Sequence, residues 1–142
     1  MKKVLAIMGF VLASGAAGNA MAGCGTVAGD SRIGNQGGIN GALSGKRINA
    51  VSPAGEDWKE DHCAGGALWK VGDGSAVDPR ARRGTWSIAG TGNDRAVQYV
   101  YTGAPAQPAW TLYQNGSTLY FCNGATEIAH TVSIGSAGTP CN

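Results

Sequence analysis

The sequence has no second long apolar run after its N-terminal segment, and it lacks the repeats of fibrous proteins. Residues 23–142 contain no coiled-coil heptad, no collagen-type glycine period and no long block of like charge. This part of the chain is therefore not expected to cross a membrane or to form a coiled coil. Its many glycines also disfavour long helices, because each interior glycine costs a helix about 1 kcal/mol.

An excess of charge is missing as well. Of the 11 basic residues, Lys2 and Lys3 lie in the N-terminal segment, which leaves nine basic residues against 9 acidic ones. A domain that is neutral near pH 7 has no broad electrostatic surface for nucleic acid or anionic lipid. One local basic cluster is interpreted as a solvated loop, with contact to an anion as the alternative; it comprises Arg80, Arg82 and Arg83.

Motifs for metal binding and catalysis are not found. There is no C-x-x-C, H-x-x-x-H or EF-hand spacing, and the adjacent His62 and Cys63 would point to opposite faces of a strand. No G-x-S-x-G elbow accompanies His62 or His130. The carboxylates of residues 56–61 crowd one segment, which is typical of a solvated edge rather than a hydrolase cleft. We expect no metal, no cofactor and no enzymatic activity.

Residues 1–22 have the pattern of a cleavable secretory signal peptide. Two lysines precede the apolar stretch VLAIMGFVL, and Ala20-Met21-Ala22 predicts cleavage between Ala22 and Gly23. The apolar stretch rises only about 14 Å as a helix, roughly half of a bilayer core. Residues 21–24 also resemble a bacterial lipobox, in which Cys24 would carry a lipid anchor. We expect export to the periplasm or the extracellular medium and favour the soluble product, because lipoboxes usually have an aliphatic residue where Met21 stands.

The 4 cysteines follow the predicted signal peptide; they are Cys24, Cys63, Cys122 and Cys141. An exported chain folds in an oxidising compartment, so an even number of cysteines predicts two disulfides. Of the three possible connectivities, we favour Cys63–Cys122 within the body and Cys24–Cys141 between the termini. The second bridge would fasten two glycine-rich ends that otherwise fray.

Short strands separated by turn signals indicate an all-β domain. Residues 23–42 are predicted to be a glycine-rich arm, 43–134 the β domain and 135–142 a Gly/Ser-rich tail. Gly65-Gly66 and Asn115-Gly116 are typical of β-hairpin turns. About eight strands joined by local turns predict an antiparallel meander that closes into an up-and-down, lipocalin-like barrel. A two-sheet β-sandwich is the alternative.

Alternation within two segments predicts which side chains share a face. In residues 95–102 the apolar face consists of Val97, Tyr99 and Tyr101. In the last predicted strand the shared face consists of Ile128, His130, Val132 and Ile134. We expect His130 to be a half-buried strand residue.

Several short pieces occur in an order that resembles a known group of proteins. The pieces are Leu43-Ser-Gly45, Trp58 with His62, Gly65-Gly66-x-Leu68, Asp78-Pro79, Gly84-Thr-Trp-Ser87, Tyr99-x-Tyr101 and Leu119-Tyr-Phe-Cys-Asn-Gly124. Through them the chain resembles small secreted bacterial β domains of unassigned function and, more weakly, lipocalin-like barrels. The resemblance implies a small exported β domain and supplies no catalytic residues.

Aromatic side chains are the remaining candidates for a site. Most are expected to fill the core, since each ring occupies much of a small domain. The subset predicted to line a pocket or platform is Trp58, Trp69, Tyr99, Tyr101 and Trp110. Trp58 and Trp69 would form a platform if they lay across their hairpin. We expect a non-enzymatic binding module for a small hydrophobic, glycan or protein partner. The alternatives are a structural or assembly subunit and a secreted inhibitor or small hydrolase.

Overall fold

The computed structural model of the chain describes residues 23–72 and 80–141. The predicted signal peptide with its cleavage residue Ala22, and the Asp78-Pro79 piece, lie outside these residues. The regular structure of the described part consists of antiparallel strands in one sheet and one short helix, so the all-β prediction is confirmed. The sheet is strongly curled into a half-barrel.

The sheet order is β1-β7-β8-β9-β2-β3-β4-β5-β6. The elements are β1 (Ser31–Ile33), α1 (Gln36–Leu43), β2 (Lys46–Val51), β3 (Asp57–His62), β4 (Ala67–Lys70), β5 (Ala81–Ala89), β6 (Ala96–Tyr101), β7 (Thr111–Asn115), β8 (Thr118–Asn123) and β9 (Thr126–Ser136).

Two meanders form the sheet, β2 to β6 and β7 to β9, and the pairing of β9 with β2 joins them. Val97 and Trp110 exchange both backbone hydrogen bonds, at 2.9 and 2.7 Å, so β6 also contacts the chain just before β7. The N–H of Arg95 donates to the carbonyl of Gly34, at 2.9 Å, beside the end of β1. These bonds bring the two edges of the curled sheet together, which confirms the prediction of a meander that curls into a barrel-like sheet.

Both hairpin turns identified in the sequence are confirmed. Asn115 and Thr118 pair at the end of the β7–β8 hairpin, and Gly116 takes a positive φ of 59°. Such a conformation suits the primed turns that match strand twist. In the β3–β4 hairpin, Gly66 has φ 85°, and an added Cβ there would meet the carbonyl of Trp86 at 3.0 Å.

The N-terminal arm contains regular structure, where the sequence predicted an irregular segment. Within it lie β1, which pairs with β7, and helix α1. The side chain of Asn35 caps the helix by accepting from the N–H of Gly38. Ile39 and Leu43, one helical turn apart, are fully buried. Their burial outweighs the low helix propensity of the glycines that concealed this helix in the sequence.

The core fills the inner face of the curled sheet and is covered by α1. Its buried members are Ile39, Leu43, Ile48, Ala50, Leu68, Trp86, Val97, Tyr99, Leu112, Leu119, Phe121 and Ala129. The face predicted for residues 95–102 is confirmed, since Val97 and Tyr99 are fully buried and Tyr101 packs against the core.

Strand β9 faces the opposite way from the sequence expectation. Val132 and Ile134 of its predicted apolar face are exposed, at 65% and 39%, whereas Ala129 and Thr131 are buried. Ile128, at the start of the strand, still packs against the core. The hydroxyl of Thr131 accepts from the backbone N–H of Leu119 at 2.9 Å, so this polar side chain is satisfied in the interior. The inner face of β9 therefore carries the small side chains of Ala129 and Thr131, whereas Val132 and Ile134 lie outside.

All four cysteines form disulfides, as predicted, but the favoured pairing is wrong. The bridges are Cys24–Cys122 and Cys63–Cys141, with Cα atoms 5.7 and 4.7 Å apart. The N-terminal arm runs past β8, where an added Cβ at Gly23 would overlap the ring of Tyr120. The pairing thus follows from strand order, which the sequence does not display. Two disulfides in a small domain indicate folding in an oxidising, exported location.

A buried ion cluster on the outer face fastens the C-terminal tail to β3. Asp61 is fully buried and accepts from Arg47 at 2.8 and 3.1 Å, from Arg80, and from the N–H of Gly138 at 3.0 Å. Burial opposes ionisation of this carboxyl, but the bonds from Arg47, Gly138 and Arg80 outweigh it and lower the pKa of Asp61.

Replacing Asp61 by Asn is expected to lower the free energy of unfolding by about 3 kcal/mol. The substitution removes a buried anion and leaves two arginines facing an amide. Asp57→Asn, at an exposed position of the same strand, should change stability by less than about 0.5 kcal/mol. Urea unfolding at neutral pH measures both. Equal midpoints for the two variants would contradict a structural role for the cluster.

Peptide mapping of the unreduced protein is expected to recover Cys24 linked to Cys122 and Cys63 linked to Cys141. Trypsin alone is insufficient, because no lysine or arginine follows Arg95 and one tryptic peptide holds both later cysteines. Additional cleavage after Glu127 separates them. Mass spectrometry should then join residues 61–70 to residues 128–142. A peptide joining Cys63 to Cys122 would contradict the structure.

Candidate functional site

Four of the five predicted site residues lie together on the inner face of the sheet. The Trp58 ring centroid lies 5.4 Å from that of Tyr99, 5.9 Å from that of Trp110 and 4.8 Å from that of Phe121. Tyr101 stacks beside Tyr99 with centroids 6.2 Å apart. Rings from β3, β6, β8 and the residue just before β7 therefore form one aromatic cluster.

Trp69 is not part of this cluster. It pairs with Asp61 across the β3–β4 hairpin, and Asp61 lies in the ion cluster on the outer face. Trp58 is an odd number of residues from Asp61 on the same strand and points inward. The platform predicted from Trp58 and Trp69 is therefore not formed.

Tyr99 has a packing role at the centre of the cluster. It is fully buried, and its hydroxyl lies 2.9 Å from Nε2 of His62, which is also fully buried. Burial lowers the pKa of His62 to about 3 and raises the pKa of Tyr99. The pair is therefore neutral at physiological pH, and it is enclosed where a ligand does not reach.

Glu60 is the site residue that the sequence interpretation missed. It is only 5% exposed. On β3 it lies between Trp58 and His62, and its side chain is on the inner face of the sheet, as theirs are. Its Oε2 accepts from the indole Nε1 of Trp58 and from the hydroxyl of Tyr101, the latter at 3.3 Å. Burial raises the pKa of Glu60 to about 7. Strand alternation could have identified it, because residues two apart on a strand share a face, and Glu60 lies two residues from both Trp58 and His62.

Trp58 and Tyr101 line two neighbouring cavities at one end of the half-barrel, where β3, β5 and β9 begin and β6 ends. One, of about 380 Å³, is also lined by Glu60, Arg82, Arg83 and Thr102. The other, of about 220 Å³, is lined by Ser52, Glu56, Asp57, Trp110, Ile128 and Ala129 as well. We call the set Trp58, Glu60, Arg83, Tyr101 and Trp110 the mouth.

The mouth combines aromatic walls with one buried carboxyl group and one exposed guanidinium. The positive charge of Arg83 favours the ionised forms of both Glu60 and Tyr101, although burial outweighs it in each case. The two histidines bond elsewhere, His62 to Tyr99 and His130 to Glu127. In residues 23–72 and 80–141 no three His, Cys, Asp or Glu side chains are grouped to hold a metal ion. This arrangement suits noncovalent recognition of a small molecule.

Comparison of the chain with protein-family models, with curated proteins and with solved structures finds no match. The likeness to small secreted bacterial domains accordingly stays a prediction. Among the residues that the structure describes, no helix has the length and apolar character needed to cross a bilayer.

Glu60→Gln is expected to stabilise the protein above neutral pH and to have little effect near pH 4. The folded-state pKa of about 7 exceeds the usual value of 4.5, so stability associated with Glu60 is lost as pH rises from about 4.5 to 7. The variant should gain up to about 3 kcal/mol over the wild type near pH 8. The buried His62 also makes stability depend on pH, but it does so equally in both proteins. Its contribution therefore cancels in the stability difference between variant and wild type.

Urea unfolding of wild type and variant across this pH range measures the effect. The matched control is Glu56→Gln, at an exposed position, which should follow the wild type at every pH. A stability difference between Glu60→Gln and wild type that stays constant with pH would show that Glu60 ionises normally in the folded protein.

Proposed function

We propose that this chain is an exported, non-enzymatic binding module that holds a small ligand at the mouth. The observation that carries the proposal is the Glu60 carboxyl group, which is buried yet lines a cavity between Trp58 and Tyr101. Pockets with aromatic walls and a few converging polar groups are typical ligand sites.

A packing role alone does not account for Glu60. A buried carboxyl group costs free energy unless its charge is paired, and a neutral side chain of similar size would accept the same two hydrogen bonds. Asp61, the next residue, has two arginine partners for its charge, whereas among residues 23–72 and 80–141 Glu60 forms no ion pair and accepts from an indole and a phenol. Sequences break such local rules mainly at functional sites, which supports recognition as the role of Glu60.

The disulfides support export as a soluble protein, to the periplasm or the extracellular medium. The Sγ atom of Cys24 is bonded to Cys122, so it cannot carry a thioether-linked lipid at the same time. The N-terminal arm and the C-terminal tail are each bridged within one chain, and β1 pairs with β7 of that chain. These internal contacts argue against an assembly subunit that donates its ends to a neighbour.

Titration with small ring-bearing probes tests the proposal. We expect at least one of glucose, glucuronate, benzyl alcohol and benzoate to shift the indole N–H resonance of Trp58 in NMR spectra. The resonance of Trp69, on the outer face, should not move. Tyr101→Ala is expected to weaken binding at least about tenfold, because it removes one wall, whereas Trp69→Phe should not.

Thermal unfolding checks that each variant is folded, and Tyr101→Phe is the milder substitution if the alanine variant is not. It keeps the wall and deletes only the hydrogen bond to Glu60. If no probe moves the Trp58 resonance, or if Tyr101→Ala binds as tightly as the wild type, the mouth is not a binding site.

A further inference from the structure

The larger cavity of the mouth has a basic side. Arg82 and Arg83 both line it, with Glu60 as the acidic residue of its lining. Arg83 also lines an adjoining cavity of about 470 Å³, where Lys59, Lys70 and Asp57 are the other charged residues besides Glu60. The acidic residues Glu56 and Asp57 line the smaller cavity on the other side of Trp58. The cavity that holds the buried carboxyl group is therefore lined by two arginines and one acidic residue.

Arg82 and Arg83 differ from the other described arginines in that no side-chain oxygen of residues 23–72 and 80–141 accepts from their guanidinium groups. Each of the other four guanidinium groups donates a hydrogen bond to a side-chain oxygen. The pairs are Arg32–Asp94, Arg47–Asp61, Arg80–Asp61 and Arg95–Gln36. Within residues 23–72 and 80–141, Arg82 and Arg83 form no ion pair and no side-chain hydrogen bond. Guanidinium groups suit planar, bidentate recognition of carboxylates, and the donors of Arg83 are available to a ligand.

The chemistry of Glu60 is compatible with an anion beside it. Both hydrogen bonds to this side chain reach Oε2, from Trp58 and Tyr101. A carboxyl group in its protonated form does not repel an anion and has an O–H to donate. A cationic ligand would instead meet Arg82 and Arg83 at close range, where like charges repel.

We infer that the ligand is a small organic anion with a ring or apolar body. Its charged group contacts Arg83 beside Glu60, and its body lies between Trp58 and Tyr101. This inference rests on the proposed function and adds the charge of the ligand. An acidic sugar and an aromatic acid share this chemistry, so the test includes both.

Two matched pairs of probes distinguish the effect of the ligand's charge from that of its ring: glucuronate against glucose, and benzoate against benzyl alcohol. In NMR titrations of the disulfide-bonded protein, we expect at least one acid to bind about tenfold or more tightly than its neutral partner. Added salt should reduce this preference, because the site is open to solvent. The pair that shows the preference identifies the body of the ligand.

Arg83→Gln is expected to lower the affinity for the acid to that of the neutral partner. Arg32→Gln, which changes an arginine on β1 outside the mouth, should leave the preference intact. Equal binding of acid and neutral partner in the wild type, or an unchanged preference in Arg83→Gln, would overturn the inference while leaving a binding module. Absence of binding by all four probes would instead count against the proposed function.

Discussion

Backbone pairing between β2 and β9 holds the two halves of the molecule in one sheet. It runs from Lys46 opposite Ser136 to Val51 opposite His130, with a bulge after Asn49. Without it, β7 to β9 would be a small separate sheet, and neither meander would have a covered inner face. The pairing turns the two inner faces toward one another. Burial of the aromatic cluster, whose large rings fill much of this core, depends on it.

The mouth combines residues of the first meander with one that leads into the second, and the same pairing brings them together. Trp58 and Tyr101 belong to the first meander, whereas Trp110 leads into the second. They line one cavity because the curled sheet brings β6 beside the residues just before β7, where Val97 and Trp110 exchange hydrogen bonds. A site of this kind is assembled only by the complete fold. It has no contiguous motif, which is consistent with a sequence that displays no functional signature.

The features that were predictable from the sequence are local, and the ones that were not depend on strand order. The Asn115-Gly116 pair indicates a hairpin in the sequence because the tight turn needs a residue with positive φ, which Gly116 supplies. Helix α1 is concealed because its stability comes from burying Ile39 and Leu43 against distant strands rather than from helix propensity. The disulfide pairing was wrong for the same reason, since nothing near Cys63 in sequence shows that the chain returns beside it after β9.

Strand β3 shows how far alternation alone determines chemistry. Glu60, Asp61 and His62 are consecutive, and all three are buried. Asp61 points outward into a cluster of arginines that lowers its pKa, whereas His62 points into the core and stays neutral. Glu60 points into the mouth, where it accepts two hydrogen bonds and forms no ion pair with any residue that the structure describes. Of the three groups, Glu60 alone lines a cavity together with arginines, Arg82 and Arg83, that form no ion pair within the described part of the chain.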